Sequence, residues 1–434
     1  MDSIWRWLQP RALPLTAQVL TFTALFIPII ANMSSALVFF GVCASLSAIA
    51  AKPATLAFHA RSLTLSLERH QDAARISIAS LVAVSLSGGI VAMIIAATGA
   101  TTSERWKYAL AWASAYLLIQ GLYLLEIATI TRLSLYATYG RARMIYAVCS
   151  LLTTSAAAAF WRADISLVIA SMTSLAVACA YIEFSTHSGT LVQAYRARVE
   201  SQWAKRYIRE SAPVGISSAI SDASAQGLSL ALPFMGSVAG FWAASLRVID
   251  GMGTVGQQVL APTYEMELAK ELRAGGHRSN LLIARQLAAG LTLGALLVPL
   301  FVASLLIGGL MPWNSQPLLV VCVAVMGVTT LSMSVAIKAP IMLGQERFFF
   351  WWSTTRLACV AGSFLFWREV DLAFALAITS STWALLFAIG AAMGARKLTR
   401  SSPTNAYPTE IERLEQWPVA DMGHEPLQTE DVRD

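Results

Sequence analysis

The chain has 434 residues, of which 56% are hydrophobic and 13% charged. That balance excludes a disordered chain, and because the apolar residues fall in long unbroken runs it also excludes an ordinary water-soluble globule. The net charge of +6 sits in alternate connections between those runs, so it marks membrane topology and no nucleic-acid partner is needed to explain it.

Twelve stretches can each hold the ~20 apolar residues that cross ~30 Å of hydrocarbon as a helix, which satisfies its own backbone where lipid cannot. In chain order they cover about residues 13–33, 36–58, 76–98, 108–130, 144–161, 165–186, 210–233, 237–260, 283–308, 315–337, 349–367 and 372–394. Trp5 and Trp7, ahead of the first span, are expected to anchor in the interface. No basic segment, short apolar stretch and small-residue cleavage site opens the chain, so the first span is expected to remain a helix.

The even connections carry Arg61, Arg69 and Arg75; Arg132, Arg141 and Arg143; Arg196, Arg198, Lys205, Arg206 and Arg209; Lys270, Arg273, Arg278 and Arg285; and Lys338, Arg347 and Arg356. The odd ones hold only Arg105, Lys107, Arg162 and Arg368. Cationic flanks stay on the cytoplasmic side, so both termini are expected there. Connections reach only about 20 residues, well short of the ~50 of a small domain. The sequence from Ser401 to Asp434 is polar and is expected to be a disordered solubilising tail. The expected organisation is a six-helix lobe over 1–195, a second over 196–400, and the tail over 401–434.

Cys43, Cys149, Cys179, Cys322 and Cys359 fall in spans without paired spacing and read as packing residues. His59, His70, His187 and His277 lie at connections on the basic side. No HExxH, paired-cysteine or phosphate-loop motif occurs, so no metal, nucleotide or other cofactor is expected.

An internal match appears at an offset of 200 residues, with Cys43-Ala-Ser-Leu-Ser-Ala-Ile-Ala50 against Ala243-Ala-Ser-Leu-Arg-Val-Ile-Asp250. It pairs the second span with the eighth. Lys52-Pro53 and Gly251-Met252-Gly253 then fall at one repeat position, where each is expected to interrupt its helix. Interruptions at matching depth in two halves point to a transport site, or mark packing only. Six spans per half is an even number, so the halves are expected to be related by an axis along the membrane normal.

The stretch from Tyr207 to Ala274, YIRESAPVGISSAISDASAQGLSLALPFMGSVAGFWAASLRVIDGMGTVGQQVLAPTYEMELAKELRA, resembles the start of the second half of Wzx-type polysaccharide flippases. Those belong to the multidrug/oligosaccharidyl-lipid/polysaccharide exporter superfamily. Gly240, Ala243 or Ala244, Arg247 and Pro262 stand where the family pattern places them, and Leu15 to Arg75 resembles the same unit. The resemblance implies an all-α, twelve-helix, two-lobe transporter of the inner membrane. It would turn a lipid-linked oligosaccharide to the outer leaflet by alternating access, as a monomer or beside glycan-assembly proteins, in contact with membrane lipids and without catalytic residues.

Such a task needs a polar cleft for glycan and a cation for the diphosphate, because an unpaired anion in low dielectric is prohibitively costly. Arg247, near the middle of the eighth span, is the leading substrate-binding candidate, since its planar fork can meet two phosphate oxygens. Asp250 shares its helix face and can instead lock it in an internal ion pair. Lys52 is a second candidate, with snorkelling to the interface as the alternative. Asp222 lies among Ser217, Ser218, Ser221, Ser224 and Gln226, a strip suited to cavity lining or close helix contact; the acid could couple transport to a proton or pair with Arg247. A proton or a sodium ion could serve as coupling ion. Glu126 and Glu183 are expected near span ends reached by water. The run Phe348 to Trp352 is expected in an interfacial aromatic belt, with a sugar-stacking platform as the alternative.

Three other functions compete. A cation-coupled multidrug antiporter of the same superfamily would favour acids in the first lobe, yet the first three spans contain no Asp or Glu. A major-facilitator transporter would carry a glycine-led basic signature after its second span, where this chain reads HARSLTLSLERHQDAAR. A membrane-embedded polymerase or glycosyltransferase would need catalytic carboxylates on the odd side, where only Glu104, Asp164, Glu369 and Asp371 occur, too scattered for a site.

Overall fold

The computed structural model describes residues 12–400, apart from 62–64, 66, 99–105, 107, 134, 187–189, 197–198, 256–260, 262–263, 265–266, 269–270, 272–277, 308, 311, 313–315, 338 and 344. Trp5, Trp7, Pro262, His187, His277 and the 401–434 tail lie outside the described residues. Those described form an all-helical bundle with no strand among them.

Its long helices are α1 (Ala12–Ile30), α2 (Ser34–Ala54), α3 (Leu67–Thr98), α4 (Ala109–Arg132), α5 (Tyr136–Phe160), α6 (Ser166–Thr186), α7 (Ser201–Leu230), α8 (Ala239–Val255), α9 (Ser279–Ile307), α10 (Pro317–Ala336), α11 (Glu346–Phe366) and α12 (Glu369–Arg400). Eight of the twelve, all but α1, α7, α8 and α11, are long and apolar enough to cross a membrane by length and composition. Three of the exceptions carry polar strips or charges in their interior: the serine-rich strip of α7, Arg247 and Asp250 of α8, and Arg356 of α11. A helix polar on one face must hide that face from lipid: the α7 strip, Asp250 and Arg356 line one internal space, and Arg247 lines a neighbouring one.

The packing repeats with a shift of six. Helices α1 and α5, α5 and α6, α2 and α4, α3 and α4, and α4 and α6 pack together, and so do α7 and α11, α11 and α12, α8 and α10, α9 and α10, and α10 and α12. This is the parallel two-lobe arrangement. The halves meet where α2 packs on α7 and α8 packs on α1, contacts that the same shift interchanges.

Chain reversals follow local chemistry. After α1, Asn32 takes a left-handed φ of 52° and the Met33 N–H donates to Pro28 O at 2.9 Å, a 6→1 closure of the helix end. After α9, Gly309 at φ 64° does the same with Leu310 N–H on Leu305 O at 3.0 Å. The feature expected to interrupt the second span, Lys52-Pro53, is instead the last turn of α2. The chain then turns through Leu56 and Ala57, both at φ 51°, into the short helix Phe58–Arg61. Gly251-Met252-Gly253 does not interrupt α8 either, because the helix runs on through Val255. Glycine there serves packing: a Cβ on Gly251 would run into Leu25 of α1.

The largest core cluster takes Ile29, Met33 and Leu37 from the first half and Leu232, Trp242, Phe301 and Leu376 from the second. Trp242 is fully buried, with its Nε1–H donating to Leu228 O at 2.9 Å. This apolar seal joins the lobes at the end opposite the basic connections. At the basic end, polar contacts fasten α7 to the first half. Arg61 donates to Glu210 Oε2 and Ser211 Oγ, both at 2.8 Å, and Arg69 reaches Glu200 at 4.0 Å. The same guanidiniums lie over Tyr207 and Trp203 at 5.3 and 5.1 Å.

Glu126, expected where water reaches it, is only 1% exposed. The short helix Thr190–Arg196 folds back onto the bundle, and its unpaired first amides find carboxylates. Thr190 N–H donates to both Glu126 oxygens at 3.2 and 3.1 Å, and Leu191 N–H to Glu183 at 2.6 Å.

Helices α9 and α10 touch backbone to backbone at Gly290, where a Cβ would stand 2.6 Å from Ser332 Cα. Gly290→Val is therefore expected to push these helices apart and destabilise the protein by about 1–3 kcal/mol as overpacking. A melting curve in detergent checks this, and an unchanged midpoint would contradict the close contact.

Candidate functional site

Two of the cavities among the described residues share a wall. One of about 1100 Å³ lies between α2, α7, α8, α10 and α11, lined by Lys52, Ser218, Ser221, Asp222, Asp250 and Arg356 among others. The second, of about 480 Å³, lies between the first-half helices and α7 and α8; its walls include Gln120, Arg143, Tyr146, Ser171 and Arg247. Gln226, Ser229, Leu246 and Asp250 line both, so one wall formed by α7 and α8 separates two chambers. Gln226 is held in that wall by Ser45 Oγ, which donates to its Oε1 at 2.8 Å.

Several charged residues stand differently from the sequence-based expectation. Lys52 has a partner inside the bundle: its Nζ donates to Asp222 Oδ1 at 2.8 Å. The α2 helix ends two residues later and packs Pro53 against Gly215, which brings the ammonium over α7 beside Asp222. Asp222 consequently pairs with Lys52 and not with Arg247, and its Oδ2 is buried without a hydrogen bond.

Arg247 and Asp250 form no ion pair. The guanidinium carbon lies over the Phe40 ring at 4.8 Å, with Nε and Nη1 buried and without a hydrogen-bond partner. Asp250 points to the cavity space and faces Arg356 on α11. Three residues along a helix permits a pair, but α2 supplies an aromatic face that holds the arginine the other way.

Arg356 and Arg143, read as connection residues, are in the bundle. Helix α11 begins at Glu346, so Arg356 lies ten residues in, about 15 Å at 1.5 Å per residue. It is 5% exposed and sits over Trp352 at 5.4 Å. Helix α5 begins at Tyr136, which carries Arg143 inward, where its Nε donates to Tyr139 Oη at 3.1 Å. The aromatic run divides. Trp351 faces outward at 63% exposure, whereas Trp352 is 4% exposed, donates to Trp383 O at 2.9 Å and packs on Phe387. Phe349, Phe350 and Trp352 line the large chamber, so the run is only partly a belt. An earlier start of the fifth helix places Arg143 inside it, whereas Arg356 already falls within the stretch 349–367 although it was counted with the basic connections.

Across both chambers, the cations Lys52, Arg143, Arg247 and Arg356 face the acids Asp222 and Asp250. Among the described residues, four against two leaves an excess of two positive charges. Serine and threonine hydroxyls dominate the remaining polar lining, and no group of three or more His, Cys, Asp or Glu among the described residues could hold a metal. The space can attract an anion, hydrogen-bond hydroxyls and exclude lipid.

No family model and no curated relative matches the sequence. Among solved structures the chain is similar to the inward-facing conformation of a multidrug resistance MATE family transporter of the MOP superfamily, with a TM-score of 0.55, 14% identity, and coverage of 90% of this chain and 96% of that one. A mutant MATE transporter from Vibrio cholerae matches with a TM-score of 0.43, 13% identity, and coverage of 92% and 97%. A MOP superfamily transporter from Pyrococcus furiosus matches with a TM-score of 0.40, 13% identity, and coverage of 90% and 93%. The fold is that of a MATE-like, twelve-helix polytopic membrane protein.

Proposed function

We propose that the protein moves a lipid-linked oligosaccharide across the inner membrane by alternating access, with its termini in the cytoplasm and residues 1–195 and 196–400 as the moving lobes. The observation that carries this reading is the unbalanced cation content of the two chambers, above all the Arg247 guanidinium with its unpaired Nε and Nη1. An uncompensated cation in low dielectric is costly unless an anion arrives, and a polyprenyl diphosphate brings one together with hydroxyl-rich sugar for the serines of α7. Asp250 serves as resident counter-charge to Arg356 until the diphosphate enters. A proton or sodium ion supplies the driving force, with Asp222 as its candidate carrier.

A second reading, cation-coupled multidrug efflux, is favoured by the fold match and by Asp250, an acid that lines both chambers. Equilibrium binding to purified protein separates the two. The flippase reading expects a polyprenyl-diphosphate oligosaccharide to bind and a cationic dye to bind weakly, with Arg356→Gln weakening the glycan lipid by about 10-fold, the loss of roughly one charge-assisted hydrogen bond. Tighter dye binding in Arg356→Gln, with no glycan-lipid binding to either form, would favour efflux.

A further inference from the structure

The smaller chamber holds more than Arg247. Its wall brings a second guanidinium, Arg143, into the same space, with Tyr146 beside it in the lining. Tyr139 Oη accepts from Arg143 Nε, which orients the planar group. Tyr123 and Tyr146 stack at 5.8 Å with 27° between their planes, forming a rigid aromatic side to the chamber. Three kinds of polar group are buried there without a partner: Arg247 Nε and Nη1, Tyr123 Oη and Gln120 Oε1. Asp250 is the one acid lining the chamber among the described residues.

Buried polar groups in a folded protein are normally hydrogen-bonded, and several orphans around one space need an explanation. Packing does not supply it, because an apolar filling of the same shape would be more stable than unsatisfied arginine. A ligand does. The donors are guanidiniums, which meet phosphate oxygens in pairs, while Gln120 Oε1 accepts and Tyr123 Oη can donate or accept, as sugar hydroxyls require. A volume of about 480 Å³ falls within the ~300–1,000 Å³ usual for small-ligand pockets.

The geometry points to a sugar-phosphate site in the first-half chamber, with Arg143 and Arg247 gripping the phosphate from two sides and Gln120 and Tyr123 reading the attached sugar. This deepens the export reading and rests on it for the ligand's source. It places the phosphate and first sugar in the smaller chamber and leaves the larger one for the rest of the glycan.

The test is titration of the purified full-length protein in detergent with N-acetylglucosamine 1-phosphate, inorganic phosphate and uncharged N-acetylglucosamine. A short-chain prenyl diphosphate linked to the same sugar is titrated in parallel. Sugar phosphate is expected to bind at least ~10-fold more tightly than either half alone, because both the guanidiniums and the hydroxyl readers contribute. R143Q and R247Q are each expected to lower that affinity by about 10-fold or more, and R143K to recover part of it through charge without the fork. Equal binding of inorganic phosphate and sugar phosphate would overturn the site, as would an R143Q affinity matching wild type. Loss of export in R247Q together with unaltered sugar-phosphate affinity in R143Q would sink the site and leave the export reading standing. Tighter, Arg143-dependent binding of the prenyl form assigns the lipid-linked source; equal binding of the free form assigns a soluble one. Either supports the pocket.

Discussion

Arg247→Ala is expected to abolish glycan export, by at least ~100-fold, while the protein inserts normally and melts at the same temperature or higher. The two halves of that result have one cause. An arginine engaged in structural pairing costs ~3–5 kcal/mol when its buried partner is left alone. Here the Arg247 Nε and Nη1 are orphaned, so truncation removes an unsatisfied group and relieves a penalty of ~1–3 kcal/mol. Only the cation–π contact with Phe40 at 4.8 Å is lost, worth ~0.5–2 kcal/mol. Loss of export with unchanged melting is the signature of a functional residue held at the expense of stability. A sharp fall in melting temperature would instead make Arg247 a structural residue.

Asp222→Asn is expected to reduce both stability and export, and the exchange Lys52→Asp with Asp222→Lys to restore the melting temperature. The pair links α2 of one half to α7 of the other at 2.8 Å, so it fixes the lobes in this arrangement. Its side chains are 37% and 22% exposed, which sets the loss at about 1–2 kcal/mol, between a surface pair and a buried one. Melting curves of the two single variants and the exchange form a double-mutant cycle. Additive losses, with no recovery in the exchange, would remove the pair as a latch. A proton role for Asp222 is separable. If Asp222 carries the coupling proton, export by Asp222→Asn loses its dependence on an imposed proton gradient, whereas a merely structural pair leaves that dependence intact.

The fold was legible in the sequence because it is written in long-range patterns: run length, the alternation of basic connections and the even span count. Site details were harder to read, for physical reasons. Lys52 was assigned by its distance from the end of an apolar run, yet α2 stops early at Ala54, and Arg356 was counted with the basic connections although it falls within the stretch 349–367. Arg143 was hidden by the start of α5 at Tyr136. The Arg247–Asp250 spacing correctly gave a shared helix face, but spacing along one helix is silent about Phe40 on another, and that ring decides where the guanidinium lies. Glu126 was misread because its partner amide, Thr190, belongs to a short helix that the apolar pattern does not mark. The polar strip of α7, by contrast, was visible directly, since a serine-rich helix face in lipid must look inward; Ser218, Ser221, Asp222 and Gln226 all line the large chamber.

The most direct test of the central claim is a leaflet assay on purified protein in sealed liposomes, following a fluorescent polyprenyl-diphosphate oligosaccharide by surface quenching. Transbilayer movement is expected in wild type, absent in Arg247→Ala, and inhibited by excess unlabelled glycan lipid but not by cationic dye. Glycan lipid that stays in its leaflet while the same liposomes move cationic dye, with or without Arg247, would contradict the account.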